Sequence, residues 1–166
     1  VGALSILYTD GPEIVAKNIQ PGWTTTKTVK VKNTGTIKAF YSLDWLSLTN
    51  EITNDELVLS ATCSSNTDTC DAIEITPVTD SEFAIGVGID PGEEHTYVIT
   101  FEFKEISSAQ NYNQNKKFNG VLNVIESPEA FTLMGALLDS GGNPIEGATI
   151  EVHSTVRTGV TNAEGK

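Results

Sequence analysis

The side chains best able to do chemistry in this chain are two cysteines and two histidines. Cys63 and Cys70 enclose the polar stretch Ser64-Ser65-Asn66-Thr67-Asp68-Thr69. That spacing matches neither a C-x-x-C redox motif nor a zinc-ligand pattern. Ser, Asn, Thr and Asp are turn formers, so the two thiols are expected to cap a loop as a disulfide. Such a closure contributes about 2–3 kcal/mol on the chain-entropy model, and it implies an oxidising compartment. Two reduced thiols in a cytosolic protein are the alternative. His95 and His153 stand far apart in the chain. His95 follows Glu93 and Glu94 beside the Pro91-Gly92 turn and reads as a solvated turn histidine. No H-E-x-x-H, nucleophile elbow, phosphate-binding loop or dinucleotide fingerprint is present. The acidic loops (Asp44, Glu51, Asp55, Glu56; Asp68, Asp71; Asp90, Glu93, Glu94) lack the dense alternating ligands of a calcium site and read as a solvated acidic surface. No catalytic, cofactor-binding or metal-ligating residue is assigned, and the chain is expected to be neither an enzyme nor dependent on a cofactor.

Ten Lys+Arg against 22 Asp+Glu give the 166 residues a net charge of −12. That charge repels nucleic-acid phosphate and anionic lipid, so neither is an expected partner. It also means that self-assembly needs a specific, directional contact. No run of 18 or more apolar residues occurs, so no membrane-spanning helix is expected. The chain begins Val1-Gly2-Ala3-Leu4 without an initiator Met and reads as a mature terminus left by signal cleavage. Its apolar run stops at Asp10-Gly11-Pro12, too short for the long N-terminal helix of a type IV pilin. Secretion to the extracellular space or cell surface is the expectation.

The elements that must position these residues are short strands separated by turn chemistry, with almost no helix signal. Strands are expected over 4–8, 14–16, 24–31, 39–48, 57–62, 72–76, 83–89, 96–103 and 118–125. In the 24–31 segment Thr26, Thr28 and Lys30 alternate with Lys27, Val29 and Val31. In the 96–103 segment Tyr97, Ile99, Phe101 and Phe103 form the apolar face, with His95 assigned to the opposite, wet face together with Val98, Thr100, Glu102 and Lys104. Strands 57–62 and 72–76 are expected to flank the cysteine loop as a hairpin. Gly86 and Gly88 suggest a bulge, and the Asn/Gln-rich run 107–117 a loop. Many short strands without intervening helices predict an all-β, antiparallel, jelly-roll-like β-sandwich. The expected domains are an N-terminal arm and hinge over 1–12, the sandwich over 13–127, and a linker with a partial second β-module over 128–166.

The N-terminal segment is apolar on both faces (Val1, Gly2, Ala3, Leu4, Ser5, Ile6, Leu7, Tyr8), as in a strand buried on both sides. Two fates are open. The segment can be the first strand of its own sandwich, or it can swing about the hinge Asp10-Gly11-Pro12 and add to the sheet of a neighbouring copy.

A family resemblance bears on that choice. The run Asn18-Ile19-Gln20-Pro21-Gly22, a Thr/Lys strand, and then Lys32-Asn33-Thr34-Gly35-Thr36-Ile37 resembles the opening of TasA/camelysin-family surface proteins. Phe101-Glu102-Phe103-Lys104 followed by Asn111-Tyr112-Asn113-Gln114-Asn115 resembles that family's later motif, and together the match covers roughly residues 1–127. The resemblance implies a jelly-roll subunit that polymerises into pilus-like or biofilm-matrix fibres by donor-strand complementation. Residues 1–8 would be the donor strand, and the partners further copies of the chain in a head-to-tail filament. Camelysins have been labelled metallopeptidases, but no metal-ligand constellation is recognisable here and that activity is not carried over. Residues 131–166, with Gly142-Asn143-Pro144-Ile145-Glu146-Gly147-Ala148-Thr149-Ile150 and Thr158-Gly159-Val160-Thr161-Asn162-Ala163-Glu164-Gly165-Lys166, resemble the start of a Cna-B or carboxypeptidase-regulatory-like β-domain. A structural fibre subunit is the leading expectation. A monomeric Ig-like or stalk module of an adhesin or surface-layer protein is the alternative.

Overall fold

The computed structural model describes residues 5–10, 13–127, 138–147, 149–152 and 157–160. Two compact units divide the chain, Val1–Glu129 and Ala130–Lys166. In the first, the turn residues cut the chain into β1 (Ile6–Thr9), β2 (Ile14–Lys17), β3 (Thr24–Asn33), β4 (Ala39–Asn50), β5 (Leu57–Ser65), β6 (Ile73–Pro77), β7 (Phe83–Ile89), β8 (Glu94–Phe103) and β9 (Lys117–Ser127). A single 3-10 turn, Asn111–Asn113, lies in the Asn/Gln-rich loop. The strands pair antiparallel throughout and form two sheets, one ordered β1-β3-β8-β5-β6 and the other β2-β9-β4-β7. This is the antiparallel β-sandwich that the strand pattern predicts. Strands β5 and β6 form the expected hairpin around the cysteine loop.

Alternation of side chains across each strand builds the core. Val29 and Val31 of β3, Tyr97, Ile99, Phe101 and Phe103 of β8, and Leu57, Leu59 and Ala61 of β5 face inward from one sheet. Tyr41, Leu43 and Trp45 of β4 meet them with Phe118 and Leu122 of β9. Trp45 lies at its centre, with ring centroids 5.7 Å from Phe83, 6.0 Å from Phe101 and 6.0 Å from Phe118. Aromatic pairs in such tilted and edge-on arrangements add about 0.5–1.5 kcal/mol each beyond the area they bury.

Strand β4 is too uniformly apolar for simple alternation, and a bulge resolves this. Trp45 pairs with Leu122 and Ser47 with Val121, so Leu46 has no partner on β9 and stands 70% exposed. The extra residue switches the inward row from Tyr41, Leu43 and Trp45 to Leu48. A second irregularity sits where the Gly86/Gly88 pair suggests it. Between Tyr41↔Val87 and Leu43↔Phe83 the register shifts, with Ala84 and Gly86 at positive φ and the Gly86 N–H donating to Ser42 Oγ at 3.1 Å.

The second unit contributes an antiparallel hairpin, β10 (Thr149–Val152) with β11 (Arg157–Val160), and a bridge between Leu138 and Pro144. The turn expected over 139–144 is held by the Asp139 carboxylate, which accepts the N–H groups of Gly141 at 2.8 Å and Asn143 at 2.9 Å. The strand expected over 131–138 lies outside the described residues except for Leu138, as do Pro128, Glu129 and His153.

Gly120 on β9 is a tight point in the sandwich. A Cβ built there would meet Trp45 Cζ3 at 2.4 Å, so Gly120→Ala has to displace the indole at the centre of the core. Overpacking of this kind costs about 1–3 kcal/mol. Urea unfolding of the variant is expected to show a lower midpoint with an unchanged slope.

Candidate functional site at the arm edge and the cysteine–histidine cluster

The N-terminal arm occupies the edge of one sheet. Strand β1 pairs with β3 in the register Ile6↔Asn33, Leu7↔Lys32, Tyr8↔Val31 and Thr9↔Lys30. Ile6 and Tyr8 are half-buried and packed against the core, while Leu7 on the outer face is 52% exposed. Over residues 6–8 the two-faced apolar pattern is thus met on one face only within a single chain. Ser5 extends the contact, its carbonyl accepting the Thr34 N–H at 2.9 Å. Val1, Gly2, Ala3 and Leu4 of the expected donor strand, and Gly11 and Pro12 of the hinge, lie outside the described residues.

Asp10, the remaining hinge residue, has its carboxylate 2.6 Å from Lys27 Nζ. Lys27 belongs to the inward row of β3 with Val29 and Val31, and its side chain is only 5% exposed. Alternation puts this cation in the sandwich, and a residue of the arm supplies a countercharge. Burial pushes the Tyr8 hydroxyl well above the usual tyrosine range, and the Asp10 charge adds to that shift.

A polar cluster lies where β8 pairs with β5. Cys63, near the end of β5, is bonded to Cys70 across the loop, with Cα atoms 5.6 Å apart. His95 is not the solvated turn residue expected from its neighbours. Strand β8 begins at Glu94, so His95 shares the inward row with Tyr97, Ile99 and Phe101 and is 2% exposed. Its Nδ1 lies 2.8 Å from the Tyr41 hydroxyl, which is 2.8 Å from the Tyr97 hydroxyl. Burial raises the pKa of Tyr41, with the adjoining Tyr97 and Glu93 adding to the effect, and burial also raises that of Tyr97. His95 Nε2 is 3.0 Å from Glu93 Oε1 but lacks hydrogen-bond alignment with it. A ring nitrogen of His95 and the sulfurs of Cys63 and Cys70 all lie within 4.8 Å of one another. A cleft of about 410 Å³ opens beside them, with Cys70, Asp71, Gly86, Gly88, His95 and Tyr97 among its lining residues.

Two of the acidic residues depart from the solvated surface expected of them. Glu93 is 4% exposed, accepting hydrogen bonds from Ser65 Oγ at 2.6 Å and the Asp90 N–H at 2.8 Å. Glu56 is 5% exposed and accepts from Gln110 Nε2 and Asn113 Nδ2, both at 2.8 Å, and from the Tyr112 hydroxyl. Glu56 therefore ties the Asn/Gln-rich loop to the sandwich, and the loop borders a cleft of about 610 Å³ with Asn18, Gln20 and Pro21. Lys27, Tyr41 and Tyr97 belong to no motif, and the signal available for them is strand parity, which sets Lys27 with Val29 and Val31. Among the described residues no helix is long and apolar enough to cross a membrane. No family model, curated protein or solved structure matches the chain.

Both buried carboxylates titrate below the ordinary glutamate value. Burial alone would raise them, but hydrogen bonds outweigh it: from Tyr112, Gln110, Asn113 and Asn54 on Glu56, and from Ser65 and the Asp90 backbone on Glu93, where the nearby His95 ring adds to the lowering. The unfolded chain, protonating near pH ~4.3, binds these protons first, so stability is full above that pH and is lost as pH falls through the lower folded values. Denaturant midpoints measured from pH 6 to pH ~2 are expected to drop in that window. Glu56→Gln is expected to flatten the drop relative to its own neutral-pH midpoint.

Proposed function

We propose that this chain is a structural subunit of an extracellular fibre, in which the N-terminal strand of one copy occupies the β1 position of the next. The observation that carries the reading is the Asp10–Lys27 pair, in which a cation of the core row takes a carboxylate from the residue that follows a four-residue edge strand. Any copy's arm brings the same Ile6, Tyr8 and Asp10 to the same β3 edge, so exchange between copies preserves the edge contacts made within one chain. Strand addition supplies the backbone hydrogen bonds and the inward side chains supply register. A head-to-tail contact that does not close on itself propagates as a filament. Leu7, exposed on the outer face of the arm, is a surface that a neighbouring copy would cover. The Cys63–Cys70 disulfide is compatible with an extracellular location. The resemblance to TasA/camelysin-family proteins favours a jelly-roll subunit of a pilus-like or biofilm-matrix fibre, with further copies of the chain as its partners.

The pairing of β1 with β3 of its own chain favours a second reading, a monomeric stalk or Ig-like module that keeps its first strand. Electron microscopy and sedimentation separate the two. The full chain is expected to form filaments, and a variant lacking residues 1–10 to remain monomeric. Filaments formed equally well by the truncated chain would refute strand exchange, and a full chain that stays monomeric at every concentration establishes the stalk reading. Asp10→Ala, which leaves the Lys27 ammonium in the core row without that carboxylate, is expected to destabilise the folded chain by up to about 3 kcal/mol. That lies at or below the low end for a fully buried pair, because the Asp10 side chain retains 19% exposure.

A further inference from the structure

We propose that Cys63, Cys70 and His95 form a latent site for a thiophilic divalent cation of the zinc type, available only when the disulfide is reduced. The proposal is independent of the fibre reading. Two thiolates and an imidazole are a zinc-type donor set, with Zn–S near ~2.3 Å and Zn–N near ~2.0 Å. Tetrahedral coordination at those lengths places the donor atoms roughly 3.4–3.8 Å from one another. The three donors already lie within 4.8 Å of one another, and after reduction the two sulfurs, bonded to each other in the oxidised chain, have to separate to that spacing. Cys63 is held on β5, while Cys70 lies between strands, in the exposed segment that leads to β6. The necessary movement therefore falls on Cys70.

The surroundings are those of a built site. His95 is 2% exposed, and coordination through either ring nitrogen leaves the other next to a partner: Tyr41 at 2.8 Å for Nδ1, or Glu93 at 3.0 Å for Nε2. A hydroxyl or carboxylate behind a ligating histidine orients the ring and raises its basicity. Glu93 is itself fixed by Ser65 and the Asp90 backbone. The cleft of about 410 Å³, lined in part by Cys70 and His95, is an entry path and leaves a fourth coordination position open to water.

Disulfide and metal exclude each other because both use the same two sulfurs. A dithiol delivers two electrons and two protons to the S–S bond, giving two thiols and becoming a disulfide itself; a phosphine delivers the two electrons while water supplies the two protons and the oxygen of the phosphine oxide. Zinc binding then releases the two thiol protons. Every chain passes through the reduced state before the bond forms, so both thiols are available to a cation until then.

The test uses the full chain, reduced with a phosphine and titrated with Zn2+ alone against a chromogenic chelator. Circular dichroism monitors the strand signal throughout. The expected result is one zinc per reduced chain and none per oxidised chain. His95→Gln is expected to weaken binding at least about tenfold, and Glu93→Gln about tenfold through the ring it orients. Cobalt substituted for zinc is expected to give a thiolate charge-transfer band that is lost in Cys70→Ser. The site is disproved if the reduced chain takes up no zinc, if His95→Gln binds as tightly as the parent, or if oxidised protein binds equally well. It is likewise disproved if reduction abolishes the strand signal and zinc does not restore it.

Discussion

The parity of β8 is the constraint on which the rest of the sandwich depends. This strand lies between β3 and β5, so both neighbours take their register from it. Its inward row runs His95, Tyr97, Ile99, Phe101 and Phe103 without interruption. Because side chains alternate with a period of two, shifting the register by one residue would carry every aromatic ring of that row to the solvent. Four large apolar side chains outweigh one histidine, so His95 is carried into the core with them. The interior then has to satisfy it, and Tyr41, Tyr97 and Glu93 surround it with polar atoms. The same registration sets His95 against Ser65 and Tyr97 against Cys63 on β5, which brings the ring to the disulfide.

Lys27 illustrates the same logic on β3. Its backbone position is dictated by Val29 and Val31, and its charge has to be met inside. A buried cation is strongly destabilising without a countercharge, and Asp10, just after β1, supplies one at 2.6 Å. The arm is therefore coupled to the core through electrostatics as well as through the edge pairing, although it contributes only four strand residues. Glu56 plays a comparable part for the Asn/Gln-rich loop, where several neutral donors stabilise one buried carboxylate. In both cases a buried charged group is met by partners distant in sequence.

Asn33 shows how a turn motif serves the whole fold. Its side-chain amide donates to the carbonyls of Ile37 at 2.8 Å and Ile89 at 2.9 Å, and its side-chain oxygen accepts the Gly35 N–H at 2.8 Å. Its backbone also bonds to Gly92 and Glu93. The Asn-Thr-Gly break after β3 is thereby joined to the Pro-Gly turn before β8. The two turns hold one end of the sandwich together, with the His95 cluster close by.

Alternation and turn chemistry in the amino-acid sequence were enough to determine the all-β class, the location of nearly every strand and the inward rows of β3 and β8 from Val29 and Tyr97 onward. Those are local properties, set by a period of two and by Gly, Pro and Asn at the breaks. The Cys63–Cys70 pairing was legible for the same reason, since the two residues lie close in the chain. Whatever depends on partners distant in sequence was not legible. Glu93 and Glu94 made His95 look wet, and only the true start of β8 showed it to be buried. The bulge at Leu46 was hidden in a continuous apolar run, because only pairing with β9 reveals which residue is extra. Asp10 with Lys27, and His95 with the two sulfurs, meet only after non-local strands are in register. Tertiary structure alone decides such meetings, because sheet pairing joins residues that no spacing along the chain relates.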